Sequence, residues 1–221
     1  MTAVRPRAAK RDTASHVIDV AERLCARFGI ESVSIRDIAS EAGVSIPVIY
    51  HHFGSRSGLL RAIVATRYAE LGEAYAPLLA AAEASPEPTL RDVLRIVLQP
   101  MQAWQRRGRE VSLQFQALAL VCPLPEVKDP IDAGVVGLRR VVALLQRVLP
   151  ALSHEDLCWR LHCCMKLTHQ TASDFERLGI LSEGRCGPAD ADEILERTLA
   201  FAEAAFLAPP FRKARRPPRS R

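Results

Sequence analysis

The chain has 221 residues, of which 48% are hydrophobic, and a net charge of +5. This composition is ample for a buried core, while the lack of any uninterrupted apolar run of about 18 residues argues against a membrane-spanning segment. The first 30 residues lack the apolar block of a signal peptide, and the six cysteines have no paired spacing. We therefore expect an intracellular protein with reduced cysteines and no membrane partner.

Both ends of the chain are basic. Residues 1–62 carry a net charge of +3, residues 63–208 a net −4 and residues 209–221 a net +6. We predict a flexible basic arm over 1–11 and a disordered basic tail over 209–221, because the sequence PPFRKARRPPRSR has no apolar face with which to fold. Such a tail is either a solvated extension or a source of salt-dependent, non-specific phosphate contacts.

The first predicted helix runs from about Asp12 to Phe28, and Gly29 ends it. Its apolar residues recur with helical spacing and form one stripe. The members of this stripe are Val17, Ile18, Ala21, Leu24, Cys25 and Phe28.

Two short helices follow, joined by a glycine turn. Ser34 and Asp37 have the spacing of a capping box, and Gly43 stands where a left-handed C-cap is needed. Ser45 is placed to cap the next helix, and Pro47 falls in its first turn, where a missing amide hydrogen costs little. Helices joined this closely cross at a large angle, so the pattern predicts a helix-turn-helix.

The rest of the chain is also predicted to be helical, which gives an all-α fold. A fourth helix begins after Ser55 and is expected to bend or end at Pro77, and another opens at a capping box of Thr89 and Asp92 and is interrupted at Pro100. No alternating strand pattern and no internal repeat competes with this interpretation. The remaining helices are predicted at about Glu110–Val121, Ile131–Leu149, Asp156–Leu178 and Ala191–Leu207, the last two opened by Ser153/Asp156 and Asp190/Glu193 boxes.

The stretches IRDIASEAGVS and IYHHFGSRSGLLRAI resemble the TetR family of bacterial transcriptional regulators, from Asp12 to about Tyr68. The resemblance implies a three-helix DNA-binding domain over 12–56 and a helical bundle for effector binding and dimerisation over 57–208. It further implies a cytoplasmic homodimer, associated with the nucleoid when bound, that recognises a palindromic double-stranded operator, with repression as the default. The last two long predicted helices carry apolar residues on more than one face, so we assign the dimer interface to them.

Ten residues are candidates for contacting DNA. Ser45 and Tyr50 have hydroxyls for phosphate oxygens, and Arg36 and Arg56 have cationic groups, with Arg56 standing where the family usually has lysine. Apolar side chains at the start of the second short helix would contact thymine methyl groups, although two of these positions are often polar in the family. Tyr50 and His52 are alternatively packing residues. The full set is Ser34, Arg36, Ser45, Ile46, Pro47, Val48, Tyr50, His51, His52 and Arg56.

Aromatic and sulfur-containing residues downstream are candidates for lining an effector site, because helical bundles form pockets between facing helices. The same residues fit an ordinary core. Few charges lie on the apolar faces, which favours a small, mostly apolar effector, and LSHEDLCWRLHCCMKLTH loosely resembles a helix of TetR-type regulators of fatty-acid metabolism, which suggests an acyl ligand. The candidate residues are Met101, Trp104, Phe115, Met165 and Phe175.

A metal- or thiol-responsive regulator is an alternative. His154, Cys158 and His162 recur every four residues, with Met165 and His169 further along the same helix. Three ligands one turn apart along a helix cannot all reach one ion, so we predict no metal site or cofactor and favour a structural or dimer-face role.

Two other classes of protein fit the sequence poorly. We expect no enzyme, because a glycine-rich phosphate loop, a GxSxG elbow, an HExxH pair and a carboxylate dyad are all missing. A non-specific architectural DNA binder would need basic charge over the whole body, whereas residues 63–208 are net acidic.

Overall fold

The computed structural model describes the backbone of residues 7–106, 110–171, 175–187 and 190–211, and within these ranges it describes the side chains outside 7–12, 101–106, 110, 167–171 and 175–176. Every regular element in the described part is an α-helix, which confirms the predicted all-α fold. No helix among the described residues is long and apolar enough to cross a membrane. The helices are α1 Arg7–Phe28, α2 Ile35–Ala42, α3 Ile46–Phe53, α4 Arg56–Ala84, α5 Leu90–Arg106, α6 Glu110–Ala119, α7 Pro125–Val148, α8 His154–Thr171, α9 Phe175–Leu181 and α10 Ala191–Leu207.

Helices α1 to α3 form an N-terminal unit around a continuous core. Val17, Ile38 and Ile49 come from the three helices in turn and are almost completely buried. The same core also takes in Phe115 of α6 and Ile131 of α7. The N-terminal unit is therefore packed directly against α6 and α7, and is not only joined to them through the chain.

Helix α4 leaves the N-terminal unit and continues for 29 residues, about 43 Å at 1.5 Å per residue. The sequence predicts a bend or an end at Pro77, and the helix continues past this proline to Ala84, so an end there is wrong. An internal proline costs roughly 3 kcal/mol. Packing beyond it offsets that cost, because Leu79 and Ala82 are buried against α5 and α7, and Glu83 pairs with Arg140 of α7.

The C-terminal unit, formed by the second half of α4 together with α5 to α10, has its own core. Leu94 of α5, Leu145 of α7, Leu157 of α8 and Leu199 of α10 are all buried in it. Surface ion pairs link α5 to α10, because Arg91 and Arg95 of α5 both pair with Glu196 of α10. Most of the bundle is therefore held by apolar burial between helices distant in sequence.

Three boundaries differ from the sequence-based prediction. Helix α1 begins at Arg7, inside the expected flexible arm, and α7 begins at Pro125, six residues before Ile131. Proline is well suited to the first helical position, so Pro125 is the natural start, and Pro130 lies within the helix. The predicted helix Asp156–Leu178 corresponds to α8 and α9, of which α8 begins at His154 and α9 ends at Leu181, and residues 172–174 lie outside the described residues.

Candidate DNA-binding surface and internal cavity

The start of α2 is fixed by the predicted capping box. The Asp37 amide donates to Ser34 Oγ at 3.3 Å, and the Ser34 amide donates back to Asp37 Oδ2 at 2.9 Å. The Ser34 hydroxyl also donates to Asp37 Oδ2 at 2.6 Å, and these hydrogen bonds lower the pKa of the Asp37 carboxyl. The Ser34 proton is thus held by Asp37, and a contact of Ser34 with DNA stays a prediction.

The turn between α2 and α3 depends on Gly43, which has a φ of +64°. Its amide bonds to carbonyls of the last turn of α2, and the Val44 amide donates to Ala39 O at 3.0 Å. This left-handed C-cap reverses the chain within two residues, because glycine adopts a positive φ without steric cost. The helix-turn-helix predicted from the sequence is present.

Ser45 occupies the N-cap position of α3, but its hydroxyl makes no capping hydrogen bond, so the expected side-chain cap is wrong. The reason lies in the next residues. Pro47 has no amide hydrogen, and the Val48 amide already donates to the Ser45 carbonyl at 3.0 Å. The exposed hydroxyl of Ser45 is consequently available for an outside acceptor or donor, as a phosphate contact requires.

Helix α3 has one packed face and one exposed face. Ile49 is completely buried, whereas Pro47, His51 and Tyr50 are exposed, and Tyr50 retains 49% of its accessible surface. The exposure of Tyr50 disfavours the alternative in which it packs on another helix. The remaining candidates on α3 are half-buried, namely Ile46, Val48 and His52.

Arg56 makes structural contacts within the N-terminal unit, and its contact with DNA stays a prediction. Its Nε donates to the Val33 carbonyl at 2.9 Å, and one terminal nitrogen donates to the Ile30 carbonyl. These bonds tie the beginning of α4 to the connection between α1 and α2. Arg56 therefore holds the N-terminal unit together, whereas Arg36 of α2 is exposed.

A buried ion-pair network that sequence reasoning missed joins α1 to α4. Arg67 is 3% exposed and binds Glu22, Asp19 and Glu70. Burial alone would lower the pKa of the Arg67 guanidinium, but the hydrogen bond and charge of Glu22, followed by Asp19 and Glu70, outweigh burial and raise it. The available signal was the position of Arg67, four residues from both Ile63 and Leu71 on the apolar stripe of α4.

A cavity of about 100 Å³, partly open to solvent, lies between α4, α5, α6, α7 and α8. Met165 lines this cavity, and its role in binding an effector stays a prediction. Phe115 instead packs in the core of the N-terminal unit, while the side chains of Met101, Trp104 and Phe175 lie outside the described residues. The cavity is lined by Tyr68, Leu71, Tyr75, Val97, Pro100, Gln116, Leu120, Gly134, Val135, Leu138 and Met165.

Two polar features of this cavity could not be read from the sequence. Gln116 is 2% exposed, and neither its Oε1 nor its Nε2 atom has a hydrogen-bond partner among the described residues. Burial raises the pKa of the Tyr68 hydroxyl to about 12, so this phenol is protonated at neutral pH. A Cβ atom at Gly134 would lie 2.6 Å from Tyr68 Cδ1, so the absence of a side chain there lets α7 approach this ring.

A second depression lies on the outer surface between α8 and α10. Its volume is about 880 Å³, and its walls include Trp159, Cys163, Phe201 and Phe211. The three aromatic side chains are 63%, 61% and 76% exposed, respectively. Large exposed apolar patches of this kind mark interaction surfaces.

Arg160 and Asp156 fix the chain at one end of this depression. Nη1 of Arg160 donates to the carbonyls of Ala205, Phe206 and Ala208 at 2.6 to 2.8 Å, and Nη2 donates to Pro209 O at 2.9 Å. The Phe211 amide donates to Asp156 Oδ1 at 3.2 Å. Arg160 thereby satisfies carbonyls that the end of α10 leaves open.

The histidines and cysteines of α8 lie on more than one face. His154 Nε2 is 3.5 Å from Cys158 Sγ, and His162 is stacked edge-on against Trp159. Among the described residues no three His, Cys, Asp or Glu side chains come together as metal ligands. The side chain of His169 lies outside the described residues.

An N-terminal helix-turn-helix packed on a separate helical bundle defines a class of two-domain helical DNA-binding proteins. Residues 17–63 match the family model described as bacterial regulatory proteins of the tetR family, and residues 95–205 match the tetracyclin repressor-like C-terminal domain. The chain belongs to the TetR family, whose members are transcription regulators.

The chain is similar to several known proteins. It is 32% identical over 119 residues to the HTH-type transcriptional regulator AcrR of Shigella flexneri, a match that covers 54% of this chain and about half, 55%, of that protein. NalD, the secondary repressor of the MexAB-OprM multidrug efflux pump in Pseudomonas aeruginosa, is 16% identical with a TM-score of 0.60, covering 90% of this chain and 98% of NalD. FadR from Bacillus subtilis in complex with stearoyl-CoA is 15% identical with a TM-score of 0.58, and the match covers 86% of this chain and 98% of FadR. At these identities the two structures show the shared fold.

Proposed function

We propose that the protein is a homodimeric repressor that binds a palindromic operator in the cytoplasm and responds to a small, mostly apolar effector held in the cavity. The observation that carries this proposal is the exposed face of α3 on a unit whose core continues into the cavity-bearing bundle. In this proposal the protein acts by binding DNA and an effector, and not by catalysis.

The DNA contact rests on the exposed groups at the front of α3. Tyr50, His51 and the Ser45 hydroxyl supply hydrogen-bonding groups, and the exposed Arg36 on α2 supplies a charge. Hydroxyl and guanidinium contacts to phosphates position a protein on the duplex. Pro47 and the half-buried Ile46 and Val48 have no side-chain donors, so base recognition there proceeds through apolar contact with thymine methyl groups.

The dimer rests on the apolar depression of α8 and α10. A two-fold interface uses the same patch on both copies, so Trp159 and Phe201 of one protomer would cover the corresponding residues of its partner. Two helices from each copy then form a four-helix interface. This arrangement directs two α3 helices toward successive major grooves about 34–36 Å apart.

The effector response rests on α6, which contributes Gln116 to the cavity and Phe115 to the core of the N-terminal unit. A ligand changes DNA affinity only if it prefers one of two arrangements of the N-terminal units. Typical couplings of about 1–3 kcal/mol would alter operator affinity by roughly five- to 150-fold. Repression is the proposed outcome of operator binding, and NalD, which shares the fold, is by its name a repressor.

Selection of bound duplexes from a randomised 30-base-pair pool tests the proposal. We expect enrichment of an inverted repeat with half-site centres about one helical turn apart, enriched in thymine at the positions facing Pro47. Binding should also weaken with salt. Retention of all duplexes without sequence enrichment would show a non-specific architectural binder instead.

A further inference from the structure

We propose that the cavity selects neutral ligands that present a hydrogen-bond donor and acceptor side by side, such as primary carboxamides, lactams and ureides, and that Gln116 recognises this group. The inference rests on the proposed function, because it assigns a ligand class to the same effector cavity.

The first argument is the unpaired carboxamide of Gln116. Its side chain is 2% exposed and lines the cavity, yet both its donor and its acceptor lack partners among the described residues. Buried polar groups in folded proteins are nearly always hydrogen-bonded, so each exception needs an explanation. A ligand with an adjacent donor and acceptor satisfies both atoms through a pair of parallel hydrogen bonds.

The second argument is the lack of charge in the described cavity wall. None of the lining side chains carries a formal charge at neutral pH, and burial keeps the Tyr68 phenol protonated. Arg67, the residue before Tyr68, is already bound by Glu22 and Asp19. A charged ligand would lose its hydration against this part of the wall without gaining a counter-charge from it, which favours a neutral ligand.

The third argument is the contrast between a few polar groups, the Gln116 amide with the two tyrosines Tyr68 and Tyr75, and an otherwise apolar wall. Leu71, Val97, Leu138 and Met165 surround the remainder of the ligand with hydrocarbon and sulfur. A few placed polar groups in an apolar pocket are what fixes a ligand's orientation. The cavity volume of about 100 Å³ fits one small ring, which makes a seven-membered lactam a suitable probe.

The test compares ε-caprolactam with N-methylcaprolactam, which keeps the carbonyl and loses the donor. Titrations of the full chain, followed by NMR of the side-chain amide groups, should show about ten-fold tighter binding of caprolactam, because the methylated probe leaves Gln116 Oε1 unpaired. Hexanoate, which is of similar size but charged, should not bind. The Gln116 amide signals should shift with caprolactam.

The matched variant is Gln116→Met, which keeps the side-chain length and removes both polar atoms. It should bind the two lactams equally and should unfold at a temperature a few degrees higher than the wild type, because two unpaired buried groups are gone. Equal affinities in the wild type, a preference that survives in Gln116→Met, or a lower unfolding temperature of the variant would each overturn the inference. The wild-type comparison stands even if the variant fails to fold.

Operator titrations with both lactams separate this inference from the proposed function. If caprolactam is preferred and weakens or strengthens operator binding, both stand. If N-methylcaprolactam binds equally well and still changes operator affinity, the function stands and the role of Gln116 is overturned. If the preference is found without any effect on operator binding, the ligand class stands and the effector function fails.

Discussion

Arg67 and Glu22 form a two-bond ion pair across the junction of α1 and α4. Nε of Arg67 donates to Glu22 Oε1 at 2.9 Å, and Nη2 donates to Oε2 at 2.7 Å. Both residues are 3% exposed. The pair fixes the angle at which the long helix α4 leaves the N-terminal unit, because a bidentate guanidinium contact restricts orientation as well as distance.

Replacing Arg67 by Met should destabilise the fold, because Glu22 would remain buried without its counter-charge. Losing one partner of a buried pair costs roughly 3–5 kcal/mol. Circular dichroism should show a fall in the unfolding midpoint on the order of 10 °C. Arg23→Met is the control, since Arg23 belongs to a surface ion pair in which its Nη2 lies 3.6 Å from Glu41 Oε1 and both side chains are about half exposed. Equal midpoints for the two variants would contradict the assigned role.

Replacing Tyr50 by Phe should weaken specific and non-specific DNA binding alike, because the exposed hydroxyl is assigned to a phosphate. The expected loss is roughly 1.5–3 kcal/mol, as for a hydrogen bond to a charged group. Fluorescence anisotropy at fixed salt measures it. Tyr75→Phe makes the same chemical change inside the cavity and should leave ligand-free DNA binding intact. An unchanged affinity of Tyr50→Phe would remove this contact from the interface.

A charge on the apolar surface of α8 and α10 should separate the dimer. Phe201→Glu places a carboxylate where the partner's apolar side chains would cover it, and a buried unpaired charge costs several kcal/mol. Sedimentation should show monomers at micromolar concentration, with loss of binding to a two-half-site operator. Val121→Glu alters a side chain that is 78% exposed in the turn after α6, and it should remain dimeric. If Phe201→Glu also stays dimeric, the interface lies elsewhere.

Replacing Arg160 by Met should loosen the end of α10, since its carbonyls and those of the following residues lose a shared donor. We expect a loss of about 1–3 kcal/mol, and hence a midpoint lower by several degrees. Arg160→Lys keeps the charge at the helix end but not the planar guanidinium. Its unfolding midpoint should therefore fall between those of the wild type and Arg160→Met. A midpoint for Arg160→Met equal to that of the wild type would show that this cap adds no stability.

The capping box of α2 should make stability depend on acid pH. Hydrogen bonds from Ser34 lower the pKa of Asp37 in the folded protein, so the stabilisation is present above the ordinary value of 3.8 and is lost as the pH falls through the lowered pKa. Asp37→Asn should therefore unfold at a lower temperature than the wild type at pH 7. The difference should shrink well below pH 3.8. If the unfolding temperatures of the wild type and Asp37→Asn differ by the same amount at pH 7 and well below pH 3.8, the Asp37 charge is not involved.

Most local signals in the sequence identified the local structure correctly, although the Ser45 hydroxyl does not form its expected cap. Ser34 with Asp37, Thr89 with Asp92 and Asp190 before α10 all form the expected caps, because a capping interaction is decided within four residues. The glycine turn at Gly43 is equally local. These features sufficed to identify the helix-turn-helix and the all-α fold.

Other features depend on contacts between distant residues. Packing of α4 against α5 and α7 carries the helix through Pro77, and the carbonyls of Ile30 and Val33 occupy Arg56. Neither interaction is visible in the residues adjacent to these positions. The direction of Gln116 into a cavity likewise depends on how α6 is rotated against four other helices, which helical periodicity alone does not fix.

Phe115 and Gln116 are neighbours in the chain, yet one fills the core of the N-terminal unit and the other lines the cavity. A substitution at Gln116 that changes ligand choice therefore lies one residue away from the packing beneath the DNA-binding surface. In evolutionary terms, ligand preference and DNA affinity are linked traits on this helix. The cavity walls formed by Val97, Leu138 and Met165 lie outside that core, and there the protein can acquire a new ligand while keeping its operator.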